Sequence, residues 1–248
     1  MQSILKIIGV VLFIFLIIWL WKYLFSPKLN EKLNQSSNKK LNQKFYECKN
    51  IYPELYGIND KQILNEIYKN INNDSWINWP EKDLYQGKEI DGTWKIIPFY
   101  GFGTWCAYCK IFPHLTNFLK SLPNLKIDLL SKLSPNTTLV PHCGWGKHSN
   151  NVLRCHYGLK LPNNKSLSYV GVKENENDAE EIRNHAQNDW LVFDDSKLHY
   201  ASNNSKYEDR IVLIVDLVRP EYIERGKSTI EESSELLNII DEMKRLES

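Results

Sequence analysis

The sequence predicts a mainly β domain of the antiparallel sandwich or jelly-roll type, with flanking helices and an N-terminal transmembrane helix. From residue 125 onward the chain consists of short segments rich in β-branched residues, separated by Asn, Gly, Pro and Ser. Six such segments within about 95 residues are typical of a sandwich or jelly roll. Two segments with helical spacing precede them, and an apolar run opens the chain.

Residues 4–25 carry the one membrane signal and predict a single-pass anchor. The uncharged run from 7 to 21 has 15 residues, which is short for a bilayer, but Lys6 and Lys22 can extend their ammonium groups to the interfaces. No small-residue cleavage site follows, which favours an anchor over a cleaved signal peptide. Lysines after the run favour a cytosolic body, although the side of the membrane stays open.

Three further regions are predicted behind the anchor: a flexible linker at 26–46, a folded domain at 47–223 and a C-terminal helix within 224–248. The linker is polar and lacks apolar periodicity. The C-terminal helix is indicated by an apolar stripe at helical spacing, behind a capping-box pattern formed by Ser228 and Glu231.

The first part of the domain predicts two helices and a strand. Residues 58–71 place apolar side chains at helical spacing, with Asn59 as the N-cap. Residues 112–122 predict a second helix before a Pro-Asn stop, and residues 93–101 predict a short strand.

The composition limits the possible partners. The net charge of the 248 residues is +1, but residues 1–50 hold eight Lys and two Glu, a charge of +6, which leaves −5 for the remainder. Electrostatics therefore argue against nucleic acid as a partner of the folded body. Five Cys, an odd and sparse set, are not a disulfide framework and weakly favour a reducing compartment.

The segment "FGTWCAYCKIF" contains Cys106 and Cys109 at the spacing of a thioredoxin redox loop. Such a loop closes a strand and opens a helix inside a parallel βαβ unit, whereas the segments that follow predict antiparallel strands. The pair is therefore predicted to brace a loop, with a local bridge between the two sulfurs left open. A thioredoxin-like disulfide exchanger is the alternative function.

The histidines alone do not indicate a metal site. Iron sites built from two His and one carboxylate commonly use His-x-Asp or His-x-Glu, and no His in this sequence has that pattern. A single His on a strand is more often a hydrogen-bonded structural residue. The six candidates are His114, His142, His148, His156, His185 and His199.

Two longer stretches change this interpretation: "LVPHCGWG" followed by "NVLRCHYGLKLP", and "WLVFDDSKLHYASNNSKYEDRIVLIVDLVRPE". Together they resemble the aspartyl/asparaginyl β-hydroxylase family, whose members are iron(II)- and 2-oxoglutarate-dependent oxygenases with a double-stranded β-helix fold. Pro-His-x-Gly, Leu-Arg-x-His-x-Gly-Leu and Phe-Asp-Asp-Ser-x-x-His all occur in the family's order. The resemblance covers roughly residues 51 to 223.

The resemblance implies a site. His142 and His199 are the implied ligands of iron, and Gly144 occupies the place where relatives outside the family have the carboxylate. Arg210 is implied to bind the distal carboxylate of 2-oxoglutarate. Three more residues are implied to complete the cosubstrate pocket: Ser131, Arg154 and His156.

The remaining polar residues near these motifs are given other roles. Asp194 and Asp195 are predicted to be turn residues that lie beyond the ligands. His148 is predicted to be solvated in a loop, or to touch substrate, and His185 to be exposed. His114 is predicted to pack near the helix after the Cys pair.

The resemblance implies an anchored dioxygenase that uses Fe(II), 2-oxoglutarate and O₂ to hydroxylate Asp or Asn side chains of a protein or peptide. The same chemistry on the acyl chain of a membrane lipid is the first alternative. A jelly-roll binding module without catalysis is another, which intact His142, His199 and Arg210 argue against. The oligomeric state is not predicted.

Overall fold

The computed structural model describes residues 40–71, 75–86 and 92–237. The predicted anchor at 4–25 and the linker up to residue 39 lie outside these residues. Within the described ranges, no helix combines the length and apolarity needed to cross a membrane.

The larger of two sheets has eight strands, and every neighbouring pair in it is antiparallel. In sheet order its strands are β1 (Phe45–Tyr46), β10 (Trp190–Phe193), β7 (Val152–Lys160), β12 (Arg210–Val218), β5 (Leu125–Leu133), β3 (Trp94–Gly101) and β2 (Ile77–Asn78), with β4 (Thr104–Trp105) paired to β3.

The smaller sheet has four strands, also antiparallel: β6 (Thr137–Thr138), β11 (Leu198–Asn203), β8 (Ser168–Lys173) and β9 (Glu181–Asn184). One apolar cluster joins the two sheets, with Val170 and Val172 of β8 and Ala201 of β11 packed among side chains of the larger sheet such as Leu129, Val212 and Ile214. The predicted mainly β class with antiparallel sheets is therefore confirmed.

Helices contribute to a second apolar cluster with the larger sheet. Ile67, Leu115 and Leu119 pack there with Leu130 and Leu213. The helices are α1 (Cys48–Ile51), α2 (Lys61–Asn70), α3 (Pro113–Ser121) and α4 (Gly146–Ser149), with a 3₁₀ helix at Pro53–Asn59 before α2.

The predicted α2 is confirmed, but its N-cap is Asp60 rather than Asn59. The Asp60 carboxylate accepts a hydrogen bond from the Gln62 amide at 2.8 Å, and so pairs one of the amide groups at the helix start. Asn59 lies in the preceding 3₁₀ turn and accepts a hydrogen bond from the Tyr157 hydroxyl.

Both ends of the domain differ from the prediction. Phe45 and Tyr46, assigned to the linker, form β1 and are buried against β10. Residues 224–233, assigned to the C-terminal helix, are irregular, and the Ser228 hydroxyl in this segment donates to the Gly144 carbonyl. Helical structure begins at residue 234, behind the Ser233 hydroxyl, which accepts from the Leu236 amide.

A buried ion pair holds the turn after β10 to the segment after β12. Arg219 donates to both carboxylate oxygens of Asp194, at 2.6 and 2.8 Å, and also to the Ser149 and Val152 carbonyls. Both charged side chains are almost fully covered. Asp194 is therefore a turn residue, as predicted, with a structural partner.

Asp194→Ala should leave the Arg219 guanidinium buried without its counter-charge, and we expect a loss of about 3–5 kcal/mol in the free energy of unfolding. Urea unfolding followed by tryptophan fluorescence measures this loss. The exposed Asp83→Ala is the matched control and should unfold like the wild type. Equal unfolding free energies in the two variants would contradict this account.

Candidate functional site

Six of the side chains implied by the sequence motifs line one cavity between the two sheets. One of them lies on strand β11 of the smaller sheet, and four lie on strands β5, β7 and β12 of the larger sheet. The sixth, His142, lies in the loop after β6. The six are Ser131, His142, Arg154, His156, His199 and Arg210.

His142 and His199 form a pair held by the backbone. Each amide donates to the carbonyl of the other residue, at 2.9 and 2.8 Å, and the two ring centroids lie 4.5 Å apart. Each Nδ1 lies against a backbone carbonyl two residues earlier, Val140 at 2.7 Å and Lys197 at 2.9 Å. A carbonyl only accepts, so the ring proton is on Nδ1 and the Nε2 lone pair is available as a ligand.

The electrostatics of this pair suit a cation. Burial lowers the pKa of His142 to about 3 and that of His199 to about 4, so both rings are neutral at pH 7. Asp195 Oδ1 lies 3.3 Å from His199 Nε2, although that nitrogen carries no proton to share. A lone pair and a carboxylate that face each other fit a metal cation bound beside them.

The position of Asp195 explains why residue 144 is a glycine. A Cβ atom built on Gly144 would lie 2.0 Å from Asp195 Oδ2, so no side chain fits there while Asp195 keeps its place. The Gly144 amide also donates to the Asp195 carbonyl at 2.8 Å. In the described part of the chain no group of three or more His, Cys, Asp or Glu side chains is arranged to hold a metal.

Arg154 is compensated by two carboxylates. Its Nε and Nη2 donate to Asp216 at 2.9 and 2.8 Å, and its Nη1 lies 2.5 Å from Asp195. Burial disfavours the cation, but the two carboxylates outweigh it and raise the Arg154 pKa above its ordinary value. Asp195 is therefore more than a turn residue, because it lies between Arg154 and the histidine pair.

His148 extends this network, and the prediction that it is solvated is wrong. Its Nε2 lies 2.8 Å from Asp216 Oδ2, and its side chain is only 13% exposed. Helix α4, which carries His148, packs next to β7, where Arg154 lies. No sequence pattern indicates this contact, because the residues around His148 are polar.

Arg210 has the opposite environment. Its side chain is 1% exposed, and no carboxylate contacts it in the described structure. Burial without a counter-charge lowers its pKa to about 9, which still leaves it a cation at pH 7. Its Nη1 and Trp94 Nε1 both donate to Ser131 Oγ, at 3.4 and 3.0 Å, so the Ser131 proton is free to donate elsewhere.

Two further imidazoles surround the Arg210 guanidinium. Arg210 Nη2 lies 3.3 Å from His156 Nδ1 and 3.2 Å from His185 Nε2. His185 is 2% exposed, so its predicted exposure is wrong. Burial, and next the Arg210 charge, lower the pKa of both histidines well below its ordinary value. His156 Nε2 is buried without a hydrogen-bond partner.

A cleft of about 420 Å³ lies outside the His142 ring. Trp79 stacks on Trp94, with ring centroids 4.4 Å apart, and on Trp145 at 5.9 Å. Glu81 accepts hydrogen bonds from the indole nitrogens of Trp79 and Trp145, both at 3.2 Å. The cleft therefore has a firmly held aromatic wall, and Arg154 and Asp195 also line it.

The Cys pair lies elsewhere. Strands β3 and β4 form a hairpin closed by Phe102 and Gly103, both with positive φ. Cys106 precedes the 3₁₀ turn that follows, and Cys109 lies in it. Cys109 is a free thiol 3.5 Å from the Phe99 carbonyl, and burial raises its pKa above the ordinary value. A redox nucleophile needs the opposite shift, so the geometry favours a loop brace.

The wild type should therefore show no disulfide reductase activity above background, and the variant with Cys106 and Cys109 both replaced by Ser should not differ from it. Turbidity in an insulin reduction assay measures it, with thioredoxin as the positive control. Activity present in the wild type and absent in the double variant would restore the disulfide-exchange function.

Known proteins have sequences similar to part of this chain. Aspartate beta-hydroxylase domain-containing protein 2 of Mus musculus is 39% identical over 93 residues, a stretch covering 37% of this chain and 24% of that protein. Aspartate beta-hydroxylase domain-containing protein 1 of Homo sapiens is 37% identical over 92 residues, covering 36% of this chain and 20% of that protein. The matches thus span about a quarter or less of these relatives.

Among solved structures, the non-heme alpha ketoglutarate dependent epimerase SnoN is similar with a TM-score of 0.44 and 11% identity, covering 72% of this chain and 86% of that one. A prolyl hydroxylase from Trichoplax adhaerens has a TM-score of 0.40 and 11% identity, covering 63% and 76%. The family model described as Aspartyl/Asparaginyl beta-hydroxylase matches residues 58–220, well over half of the chain. The chain therefore belongs to the aspartyl/asparaginyl β-hydroxylase family.

Proposed function

We propose that this protein is an Fe(II)- and 2-oxoglutarate-dependent hydroxylase whose domain is a double-stranded β-helix. One observation carries the proposal: a buried Arg210 without a carboxylate partner lines the same cavity as two neutral histidines with free Nε2 lone pairs. The first feature calls for an anion and the second for a metal cation. Membership of the aspartyl/asparaginyl β-hydroxylase family supports iron as the cation and 2-oxoglutarate as the anion.

In this proposal His142 and His199 hold the iron, which with O₂ and 2-oxoglutarate supplies the oxidising power for hydroxylation of a C–H bond. Arg210 binds the distal carboxylate of 2-oxoglutarate, and the free Ser131 proton donates to it. His156 presents its unpaired Nε2 to the cavity. Arg154 holds Asp195 beside the iron ligands and keeps two of its five N–H groups for the cosubstrate.

The substrate enters through the aromatic cleft, which opens at His142. We propose an Asp or Asn side chain of a protein or peptide, as the family description suggests. A lipid acyl chain is the second candidate, since Trp79, Trp94 and Trp145 give the cleft a mainly apolar wall. Residues 4–25 would anchor the domain to a membrane, which suits either substrate. Succinate release in the presence of candidate peptides and lipids tests the function and separates the two.

His142→Ala and His199→Ala should each lose iron, because a site with two protein ligands has no replacement for either. We expect a weakening of Fe(II) binding beyond the roughly 10- to 100-fold typical for loss of a supporting residue. Iron retained after anaerobic loading and desalting measures it. His156→Ala is the matched control and should keep its iron; an equal loss there would make His156 a ligand.

Arg210→Lys keeps the positive charge but loses the planar fork that makes two parallel hydrogen bonds to a carboxylate. Losing one bond to a charged group costs about 1.5–3 kcal/mol, so the 2-oxoglutarate concentration for half-maximal succinate formation should rise roughly 10- to 100-fold. Iron retention should stay unchanged. An unaltered half-saturation in both Arg210→Lys and Arg210→Ala would place the cosubstrate elsewhere.

A further inference from the structure

His185 reaches the Arg210 guanidinium because its segment crosses from one sheet to the other. It follows β9 of the smaller sheet, where its amide donates to the Ser168 carbonyl at 2.9 Å. Three residues later the chain joins the larger sheet, where the Asn188 amide donates to the Gly158 carbonyl at 2.8 Å. Asn188 has a φ of 57°, a left-handed conformation that Asn tolerates, and the chain then enters β10.

Gly158 makes this crossing possible. A Cβ atom built on Gly158 would lie 2.2 Å from the Ala186 carbonyl oxygen, so any side chain there would displace the crossing segment. Gly158 lies two residues after His156 on β7. The Gly of the "CHYGL" motif is therefore explained by the close approach of the segment that carries His185.

The hydrogen bonds of His185 determine its protonation. Its Nε2 lies 3.2 Å from Arg210 Nη2, and a guanidinium only donates, so this nitrogen accepts. The ring proton is then on Nδ1, where the Ser168 hydroxyl accepts it at 3.0 Å. His185 also stacks on His156 with an interplanar angle of 11° and ring centroids 5.4 Å apart.

We propose that His185 is a positioning residue of the cosubstrate pocket, which orients the Arg210 guanidinium toward the distal carboxylate of 2-oxoglutarate. This inference rests on the proposed function. Arg210 Nη2 carries two hydrogens, and His156 and His185 accept one each. The two ring nitrogens lie 3.1 Å apart, so both reach the same guanidinium nitrogen.

The choice of imidazole has a physical reason. A carboxylate in the place of His185 would hold Arg210 more strongly but would neutralise it, as Asp195 and Asp216 do for Arg154. Two neutral acceptors fix the guanidinium and leave its full charge for a bound anion. Ser168, itself fully buried, keeps the proton of His185 on the side away from Arg210.

The test is calorimetric titration of 2-oxoglutarate into the Fe(II)-loaded full chain without oxygen. His185→Phe keeps a stacking ring but removes the acceptor, and we expect affinity for 2-oxoglutarate to fall at least about 10-fold, the effect of one hydrogen bond to a charged group. His185→Gln keeps an acceptor and should stay within about 3-fold of the wild type. The exposed His114→Phe is the matched control and should bind like the wild type.

A double-mutant cycle separates positioning from mere packing. In an Arg210→Ala background, His185→Phe should no longer change the affinity for 2-oxoglutarate, because the two residues act as one unit. Ser168→Ala repeats the test without altering the His185 ring. It should weaken 2-oxoglutarate binding when Arg210 is present and leave it unchanged in the Arg210→Ala background.

Wild-type affinity in both His185→Phe and Ser168→Ala would overturn the proposal, and so would an undiminished His185→Phe effect in the Arg210→Ala background. If His185→Phe does not fold, Ser168→Ala and its cycle decide alone. Failure of the proposed function looks different, since the wild type itself would then bind no 2-oxoglutarate.

Discussion

The site depends on one uncompensated charge, the Arg210 guanidinium buried between the two sheets. Desolvation penalises such a charge by several kcal/mol, and no carboxylate of the described residues offsets it. Its neighbours are neutral acceptors: Ser131, His156 and His185. The fold therefore holds a buried cation among neutral side chains that contact it without cancelling its charge.

Arg154, a short distance away on β7, shows the contrasting solution. Asp195 and Asp216 compensate it, and His148 joins the same network. This network holds Asp195 beside His199, where Gly144 leaves room for it. The two arginines thus differ in their surroundings, since Arg154 is paired with carboxylates beside the histidine pair and Arg210 contacts no carboxylate of the described residues. Each arginine lies on a different strand of the larger sheet, Arg154 on β7 and Arg210 on β12.

Several parts of this arrangement could be predicted from the sequence, and others could not. The strand at Trp94–Gly101, the six β segments from residue 125 onward, the helix at Pro113–Ser121 and the six cavity residues of the motifs were expected. Strands β9 and β11 were not expected. No side chain of β9 is fully buried, so it lacks an apolar face, and β11 ends in buried polar residues. Asn203 there donates to the Leu133, Ser134 and Glu208 carbonyls, which replaces the apolar pattern of an ordinary strand.

The sequence by itself determined the mainly β class of fold through its short β segments, and only its resemblance to a known family pointed to His142, His199 and Arg210. Only the tertiary structure decided the surroundings of His185, Asp195 and Gly158. Their environments come from contacts between segments far apart in the chain, such as Gly158 with Ala186 and Gly144 with Asp195. Polar residues like His185 look solvated in a sequence, and burial between two sheets becomes visible only when both sheets are in place.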